Sequence, residues 1–223
     1  EELARTLLKN PITVKLAVSK PADKIQQSAY VCHETQKLDI LKHLFKGKQL
    51  NRVIIFSSSK QKVKDIARDM KRIGINCDEM HSDLSQQQRD DVMYRFKSNQ
   101  TDVLVATDIV ARGIDIDDIA TVINFDVPHD AEDYVHRIGR TARADRDGVA
   151  ITLVRGWEIV DFMEIERFLG YEVTKNPLPE GIGEGPEYVP MVKKGRHGGK
   201  SQKRNSRRGK PTDNSQKKSS RKD

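Results

Sequence analysis

Short apolar runs alternate with longer amphipathic segments along most of this chain, and that alternation is the feature that most constrains its fold. Six runs have the length and composition of strands: Ala29–His33, Val53–Phe56, Asn76–Met80, Val103–Ala106, Thr121–Asn124 and Ala150–Val154. Five segments have helical periodicity: Gln36–Phe45, Gln61–Ile73, Gln86–Phe96, Ala131–Ile138 and Glu158–Leu169. Repeated strand-then-helix order predicts an α/β domain, with a parallel sheet covered by helices on both faces.

The charge of the chain is concentrated at its carboxyl end. Residues 191–223 hold thirteen Lys or Arg and two acidic residues, a surplus of +11, whereas the whole chain carries +7, so the rest carries −4. This tail has no Leu, Ile, Phe, Tyr or Trp, and it therefore cannot bury enough apolar surface to offset its ordering entropy. We expect a disordered basic tail that attracts nucleic acid through its phosphates, or one that only improves solubility.

Polar residues follow the predicted strands. Ser57–Ser59, His81–Leu84, Thr107 with Asp108, and Asp126–Pro128 each come directly after a strand. Ligands of an open parallel sheet gather beyond the carboxyl ends of its strands, so these groups predict a binding edge.

Three arginines recur at spacing three in the run YVHRIGRTAR, from Tyr134 to Arg143. A guanidinium fork suits a phosphate, so Arg140 and Arg143 are candidates to neutralise charge during phosphoryl transfer. The alternative is a solvated helical face paired with nearby acids such as Asp133. Arg137 is interpreted as structural.

Together with VATDIVARGIDI at Val105–Ile116, this run resembles motifs V and VI of the DEAD-box RNA helicases, which have two RecA-like domains. VIIFSSSK at Val53–Lys60 resembles motif IV, and HSDLSQQQRDDVMYRF at His81–Phe96 resembles the block that follows it. The resemblance covers about residues 24–169. The motif sequences and the basic tail are most similar to those of the bacterial RhlE-like branch.

The resemblance implies that this chain is the second half of such an enzyme. No GxxxxGK[ST] phosphate loop or Asp-Glu-Ala-Asp run occurs, and the chain begins at Glu1 without Met. Residues 1–18 would then be the trailing end of the first RecA-like domain, or a local helix packed on the second. We expect a hinge at 19–25, the C-terminal helicase domain at 26–172, a linker at 173–190 and the tail at 191–223.

The resemblance assigns roles to individual residues. Gly113, Asp115, Arg140 and Arg143 would contact ATP, with Arg140 and Arg143 as arginine fingers and His136 coupling the nucleotide site to the first domain. Ser59, Gln86, Arg89, Thr107 and Asp108 would bind RNA. The alternatives are helix caps: Thr107 and Asp108 as an N-cap ahead of residues 109–112, and a capping box with Ser85 as the N-cap and Gln88 at N3.

Two positions depart from the family pattern. Ser82 stands where the family commonly has Gly, so the loop after His81 is expected to run differently. Ala142 replaces the Gly before Arg143, which is harmless if that residue is helical and displaces Arg143 if it needs positive φ. Two further interpretations concern Trp157, as a packing anchor for the last helix rather than a stacking platform, and Cys32 and Cys77, as buried thiols.

The implied function is ATP-driven unwinding of short RNA duplexes by domain closure, with ATP and Mg²⁺ held mainly by the absent first domain. This chain alone should be inactive, and no residue in it is assigned to a metal. Its partners would be RNA, recognised largely without regard to sequence, and the first RecA-like domain. The alternatives are a non-catalytic RNA-binding module and a DNA-unwinding enzyme. We expect a monomeric, cytoplasmic protein with no membrane span.

Overall fold

The computed structural model describes residues 24–47, 50–108, 119–141 and 147–190. Within these ranges, seven parallel strands form one sheet in the order β3-β4-β2-β5-β6-β1-β7. The strands are β1 Ile25–Cys32, β2 Val53–Phe56, β3 Cys77–Met80, β4 Val103–Ala106, β5 Thr121–Asn124, β6 Gly148–Arg155 and β7 Thr174–Asn176. The helices are α1 Lys37–Phe45, α2 Lys60–Arg72, α3 Gln86–Lys97, α4 Ala131–Ile138 and α5 Ile159–Leu169. Short 3-10 helices, Glu34–Gln36 and Gly156–Glu158, precede α1 and α5.

The sheet separates two hydrophobic cores, which confirms the predicted parallel sheet with helices on both faces. Alternate residues of β2 point to opposite faces, so that Ile54 and Phe56 join one core while Val53 and Ile55 join the other. Helices α3, α4 and α5 cover the first face, and α1 with α2 cover the second. Because the central strands are buried on both sides, they read in the sequence as continuous apolar runs.

All six predicted strands and five predicted helices are present, with ends that differ by a few residues. The largest differences are in β1 and β6, which each extend to eight residues because they pair along their whole length, from Ile25 with Gly148 to Cys32 with Arg155. Cys32 and Cys77 are buried free thiols, as predicted. Burial raises the pKa of each thiol to about 11.

The seventh strand was not predicted, and it lies in the range assigned to a linker. β7 pairs with β1 over Ser28–Tyr30. Val173 is buried in the core beside it, and Leu178 and Ile182 pack against the opposite core. The sequence Thr-Lys-Asn carries no apolar signal because β7 is an edge strand with little buried surface. Residues 1–23 and the tail at 191–223 lie outside the described residues.

Candidate nucleotide and RNA site

The carboxyl ends of the strands bring the predicted polar residues to one edge of the sheet. Ser57, Thr107 and Asp126 follow β2, β4 and β5, which are neighbours in the sheet. Two of them also extend the backbone ladder, since the N–H of Ser57 donates to the carbonyl of Ala106 (3.0 Å) and that of Thr107 to Met80 (3.1 Å). These polar residues therefore lie at one edge of the sheet, as predicted.

Arg137 is the residue that joins the two arginine-bearing motifs. Its Nε and one terminal nitrogen donate to the two carboxylate oxygens of Asp108, at 2.6 and 2.7 Å. The other terminal nitrogen donates to Asn124 Oδ1 (3.1 Å) and to the carbonyl of Asp126 (2.9 Å). The guanidinium also lies 5.2 Å from the centre of the Phe56 ring and is 4% exposed. Such a buried, fully paired arginine fixes geometry rather than meeting a ligand.

Asp108 is correspondingly occupied. Both oxygens of its carboxylate accept from Arg137, and the side chain retains 28% exposure. Its direct role in the structure is to tie the end of β4, and with it Thr107, to helix α4. Sequence reasoning assigned Asp108 to RNA and did not find this pairing, because nothing in the sequence joins two residues that lie 29 positions apart.

Thr141 makes a second connection between the two motifs. Its hydroxyl is buried and donates to the carbonyl of Ile119 at 2.8 Å, with Ala120 at 3.2 Å. Gly148 makes room for it, because a Cβ at that position would lie 2.1 Å from the Thr141 hydroxyl. The Arg137 and Thr141 contacts thus hold the residues on either side of 109–118. Gly113, Asp115 and Arg143, predicted to contact ATP, lie outside the described residues, as does Ala142.

His136 lies in the last turn of helix α4, and Arg140 follows the end of that helix. The N-cap is Asp130, whose side chain accepts from the Asp133 N–H at 2.7 Å. The C-cap is Gly139, where a Cβ would approach the Val135 carbonyl to 2.9 Å. His136 is exposed, and Arg140 is half-buried two residues beyond the end of the helix. Both lie next to the Arg137 anchor.

The predicted RNA residue Ser59 is the N-cap of α2. Its side chain accepts from the Lys62 N–H at 3.3 Å, which satisfies one of the free amides at the helix start. The side chain is half-buried at the carboxyl edge of the sheet. The helix start places its remaining amides beside the binding edge, a favourable position for an anion.

Gln86 and Arg89 lie at the start of α3, where Ser85 and Gln88 form the predicted capping box. Gln86 is exposed and donates to Asp90 at 2.9 Å. Arg89 donates through one terminal nitrogen to the carbonyl of Ser82 at 3.3 Å, so the Ser82 loop shapes the site through its backbone. The buried Nε of Arg89 has no hydrogen-bond partner among the described residues. The half-buried guanidinium of Arg89 lies at the start of α3, and a positive charge beside free helix amides suits a phosphate oxygen.

A buried group of charges lies under the same edge. Asp126, 1% exposed, accepts from the Ser57 and Ser58 hydroxyls and from Lys62 Nζ at 2.7 to 2.9 Å. Lys37, fully buried, lies 3.3 Å from the same carboxylate and donates to the carbonyl of Phe125 at 2.6 Å. Burial alone would raise the pKa of Asp126, but the charge of Lys37 and hydrogen bonds from Lys62 and the Ser58 N–H lower it well below its ordinary value. Asp126 therefore stays ionised at neutral pH and, with Lys37 and Lys62, supports this edge of the sheet.

The charge group continues to the end of β6. Arg155 donates to Glu34 at 2.9 Å and pairs with Glu158 at 3.0 Å. Its guanidinium lies 4.2 Å from the centre of the Trp157 ring. Trp157 is 59% exposed, so its interpretation as a packing anchor is wrong. The 3-10 helix Gly156–Glu158 turns the indole outward, and Ile159 and Phe162 anchor α5 instead.

No group of three or more His, Cys, Asp or Glu in the described part is placed to hold a metal ion. Among the same residues, no helix is long and apolar enough to cross a bilayer.

Comparison with known proteins agrees with this geometry. Residues 36–145 match the family model described as "Helicase conserved C-terminal domain". The solved structure of the Escherichia coli DEAD-box protein SrmB, bound to regulator of ribonuclease activity A, has 33% identity and a TM-score of 0.67, and the match covers 73% of this chain and 98% of that one. The chain belongs to the DEAD-box RNA helicase family. It corresponds to the C-terminal helicase domain of a DEAD-box protein.

Two other DEAD-box relatives are longer than this chain. DEAD-box ATP-dependent RNA helicase CshA from Geobacillus kaustophilus is 40% identical over 194 residues, which are 86% of this chain and 42% of CshA. The structure of Saccharomyces cerevisiae Dbp5 bound to RNA and ADP BeF3 has 32% identity and a TM-score of 0.69 over 79% of this chain and 48% of that one. The chain thus spans less than half the length of these relatives. The resemblance found in the sequence is confirmed at the level of family, domain and RecA-like fold.

Proposed function

We propose that this chain is the C-terminal half of an ATP-dependent RNA helicase that unwinds short duplexes by closing onto a first RecA-like domain. The main observation that supports this proposal is the Arg137–Asp108 pair, which joins the end of β4 to the end of α4. This pair sets the RNA-side residue Thr107 and the nucleotide-side residues His136 and Arg140 on one rigid edge. Closure over ATP would then move both sets of groups together.

On the nucleotide side, Arg140 and Arg143 supply positive charge as phosphoryl transfer proceeds, and His136 contacts the first domain on closure. Gly113 and Asp115 face the nucleotide, with Asp115 accepting from a ribose hydroxyl. ATP and Mg²⁺ are bound mainly by the first domain, where the phosphate loop of the family resides. This chain therefore contributes the positive charge of its arginines and closes the cleft over the nucleotide. The Dbp5 structure with RNA and ADP BeF3 supports a shared arrangement in the family.

On the RNA side, Ser59, Gln86, Arg89 and Thr107 hold the sugar-phosphate backbone. The support is that three of them, Ser59, Gln86 and Arg89, lie at helix starts, where free amides are available to an anion, and that Arg89 adds a guanidinium there. Asp108 contributes by positioning Thr107, and its remaining exposure leaves room for a ribose hydroxyl. Contacts to backbone and ribose read no base, so recognition is independent of sequence.

The test is RNA-stimulated ATPase activity of three proteins: this chain alone, the chain fused behind a DEAD-box first domain, and the fusion carrying Arg140→Ala or Arg143→Ala. We expect no activity from the chain alone, activity from the fusion, and a loss of about two or more orders of magnitude in each variant. Arg72→Ala is the matched control, since Arg72 is 71% exposed and lies at the far end of α2. An active control beside inactive variants supports the proposal.

An inactive fusion that still binds RNA would contradict the enzyme proposal and favour the RNA-binding module. Equal loss in Arg72→Ala and Arg140→Ala would show that general charge, rather than a finger, is responsible. Stimulation by DNA as strong as by RNA would favour a DNA-unwinding enzyme.

The finer assignments belong to the same proposal. The basic tail and the motif sequences support membership of the bacterial RhlE-like branch, while the similar relatives include CshA and DbpA. We propose a monomer in the cytoplasm whose basic tail adds sequence-independent affinity for RNA. Sedimentation of the full-length protein and cell fractionation test the first two points, and deletion of residues 191–223 tests the third.

A further inference from the structure

Trp157 is the only tryptophan of the chain, and 59% of it is exposed. It lies in the 3-10 helix that follows β6, at the same carboxyl edge of the sheet that carries the proposed RNA residues. A tryptophan ordinarily contributes a large apolar area to a core or an interface. A ring this exposed at a binding edge is available to a partner.

The Trp157 ring packs against an arginine that is itself held in place. Arg155 places its guanidinium 4.2 Å from the centre of the indole. The carboxylates of Glu34 and Glu158 lie 2.9 and 3.0 Å from the guanidinium nitrogens of Arg155. The backbone N–H of Arg155 also donates to the Glu158 carboxylate at 3.2 Å. Two carboxylates thus restrain the cation against the ring, which lowers the entropy lost when a second planar group binds. Arg155 also contributes a cation–π interaction to the platform.

A chain of direct contacts joins this platform to the proposed RNA groove. Glu34 bridges Arg155 and Lys62, whose Nζ lies 3.2 Å from the second Glu34 oxygen. The backbone N–H of Lys62 donates to Ser59, the N-cap of α2 and a proposed RNA residue. In the sheet, only β5 separates β6 from β2. A strand leaving the groove past Ser59 would therefore meet Trp157 on the same surface.

We propose that Trp157, backed by Arg155, stacks an RNA base where the strand leaves the backbone groove. This inference rests on the proposed RNA function and adds a base contact to it. The charges around the ring cancel, since Lys37, Lys62 and Arg155 face Glu34, Asp126 and Glu158. An uncharged π-face suits this surface better than a phosphate does. Stacking accepts every base, so sequence independence is retained.

The first test is the intrinsic fluorescence of the full chain, which reports on this one indole. It is titrated with a single-stranded RNA 12-mer and with an abasic oligomer of the same length and phosphate number. The phosphates of both oligomers can bind the basic tail and the backbone groove, but only the RNA has bases that can stack on Trp157. We expect quenching by the RNA and little by the abasic oligomer, while fluorescence anisotropy of labelled oligomers shows that both bind.

The second test uses variants. We expect Trp157→Ala to weaken RNA binding about tenfold or more, with no change for the abasic oligomer, and Trp157→Phe to retain most of the affinity. Tyr94→Ala is the matched control, because Tyr94 is 68% exposed on α3, and it should leave both affinities unchanged. Circular dichroism of each variant checks folding.

Binding of both oligomers without quenching, or an equal loss for both in Trp157→Ala, would overturn the stacking proposal and leave the RNA function standing. Failure of the wild-type chain to bind either oligomer would remove the RNA function itself. A Trp157→Ala variant with unchanged RNA affinity would also overturn stacking, since the ring would then serve another partner.

Discussion

Arg137 and Asp108 are joined by two parallel hydrogen bonds of 2.6 and 2.7 Å between a buried guanidinium and a partly exposed carboxylate. The pair links strand β4 to helix α4, and so links the motif proposed to bind RNA with the motif proposed to bind the nucleotide. A contact of this kind lets one movement of the domain shift both sets of groups. Its geometry depends on the planar fork of arginine, which lysine does not reproduce.

Arg137→Ala should lower the free energy of unfolding by about 3 kcal/mol, because it leaves buried acceptors at Asn124 and Asp126 without a donor. Arg137→Lys should also destabilise the domain, since a single ammonium cannot replace the bidentate contact. Urea unfolding of the full chain measures both. Arg72→Ala, an exposed arginine, should change stability by less than about 0.5 kcal/mol. A loss under about 1 kcal/mol in Arg137→Ala would show that the pair is not a structural anchor.

Stability should fall at acid pH because of Asp126. Its native pKa is lowered by Lys37, Lys62 and the Ser58 N–H, while the unfolded chain titrates near the ordinary value of 3.8. The contribution is therefore complete above that value and is lost as pH falls below it, where the unfolded chain binds the extra proton. The slope from this one group should approach about 1.4 kcal/mol per pH unit.

Urea unfolding between pH 7 and pH 2.5 measures this dependence. Asp126→Asn should lower stability at pH 7, because it removes the charge that pairs with Lys37 and Lys62. It should also flatten the acid limb of the curve. An acid limb of equal slope in the wild type and Asp126→Asn would mean that other carboxylates carry the effect.

The carboxyl boundary of the domain should lie beyond residue 172. Glu166 accepts from the Val173 N–H (2.7 Å) and from the Tyr188 hydroxyl (2.6 Å), and it pairs with Lys175. Val173 is 2% exposed, and Tyr188 packs edge-on against Phe162. A chain that ends at residue 172 loses these partners, which leaves the buried Glu166 carboxylate without its hydrogen-bond donors.

We therefore expect the chain that ends at residue 172 to unfold at a Tm several degrees below that of the chain ending at residue 190. Differential scanning calorimetry of the two truncations provides the comparison. The point variant Tyr188→Phe should lose about 1.5–3 kcal/mol, from one hydrogen bond to a charged group. Equal Tm values for the two truncations would place the boundary at 172 and make 173–190 a linker.

Much of this fold could be predicted because its central strands are buried on both faces. The runs VIIF and VLVA have no polar position, and their order along the chain fixes a parallel sheet. β7 could not be found in the same way, since Thr174–Asn176 is a short edge strand whose signal is its pairing with β1 rather than its side chains.

The functional site could likewise be predicted only in part. The helix start at Ser85 was predicted, because a capping residue acts on backbone amides a few positions away, whereas the N-cap role of Ser59 was not. The pairing of Arg137 with Asp108 and the exposure of Trp157 depend on residues brought together by the sheet. Trp157 in particular was interpreted as a packing anchor for the last helix, whereas the 3-10 helix after β6 turns it outward.

Thr141→Val should uncouple the second connection between the motifs. The new methyl group has nearly the shape of the hydroxyl, but it cannot donate to the carbonyls of Ile119 and Ala120. The cost should be about 1–3 kcal/mol, because the carbonyl of the buried Ile119 loses its donor, whereas the carbonyl of Ala120 keeps the N–H of Val149. Thr174→Val on the exposed edge of β7 is the matched control and should lie within about 0.5 kcal/mol of the wild type. Chemical unfolding of the full chain compares them, and equal effects would show that the Thr141 hydroxyl is dispensable.

Arg89→Ala should weaken binding of single-stranded RNA about tenfold, because it removes a charge-assisted hydrogen bond from a guanidinium with a buried, unpaired Nε. The slope of log affinity against log salt should also fall by about 0.7, as expected for one phosphate contact on a single strand. Arg72→Ala removes the same charge from an exposed position on α2, and it should leave both quantities nearly unchanged. Anisotropy titrations of the full chain at several salt concentrations separate the two cases. An equal loss in both variants would mean that net charge alone attracts RNA and that the start of α3 is not a phosphate site.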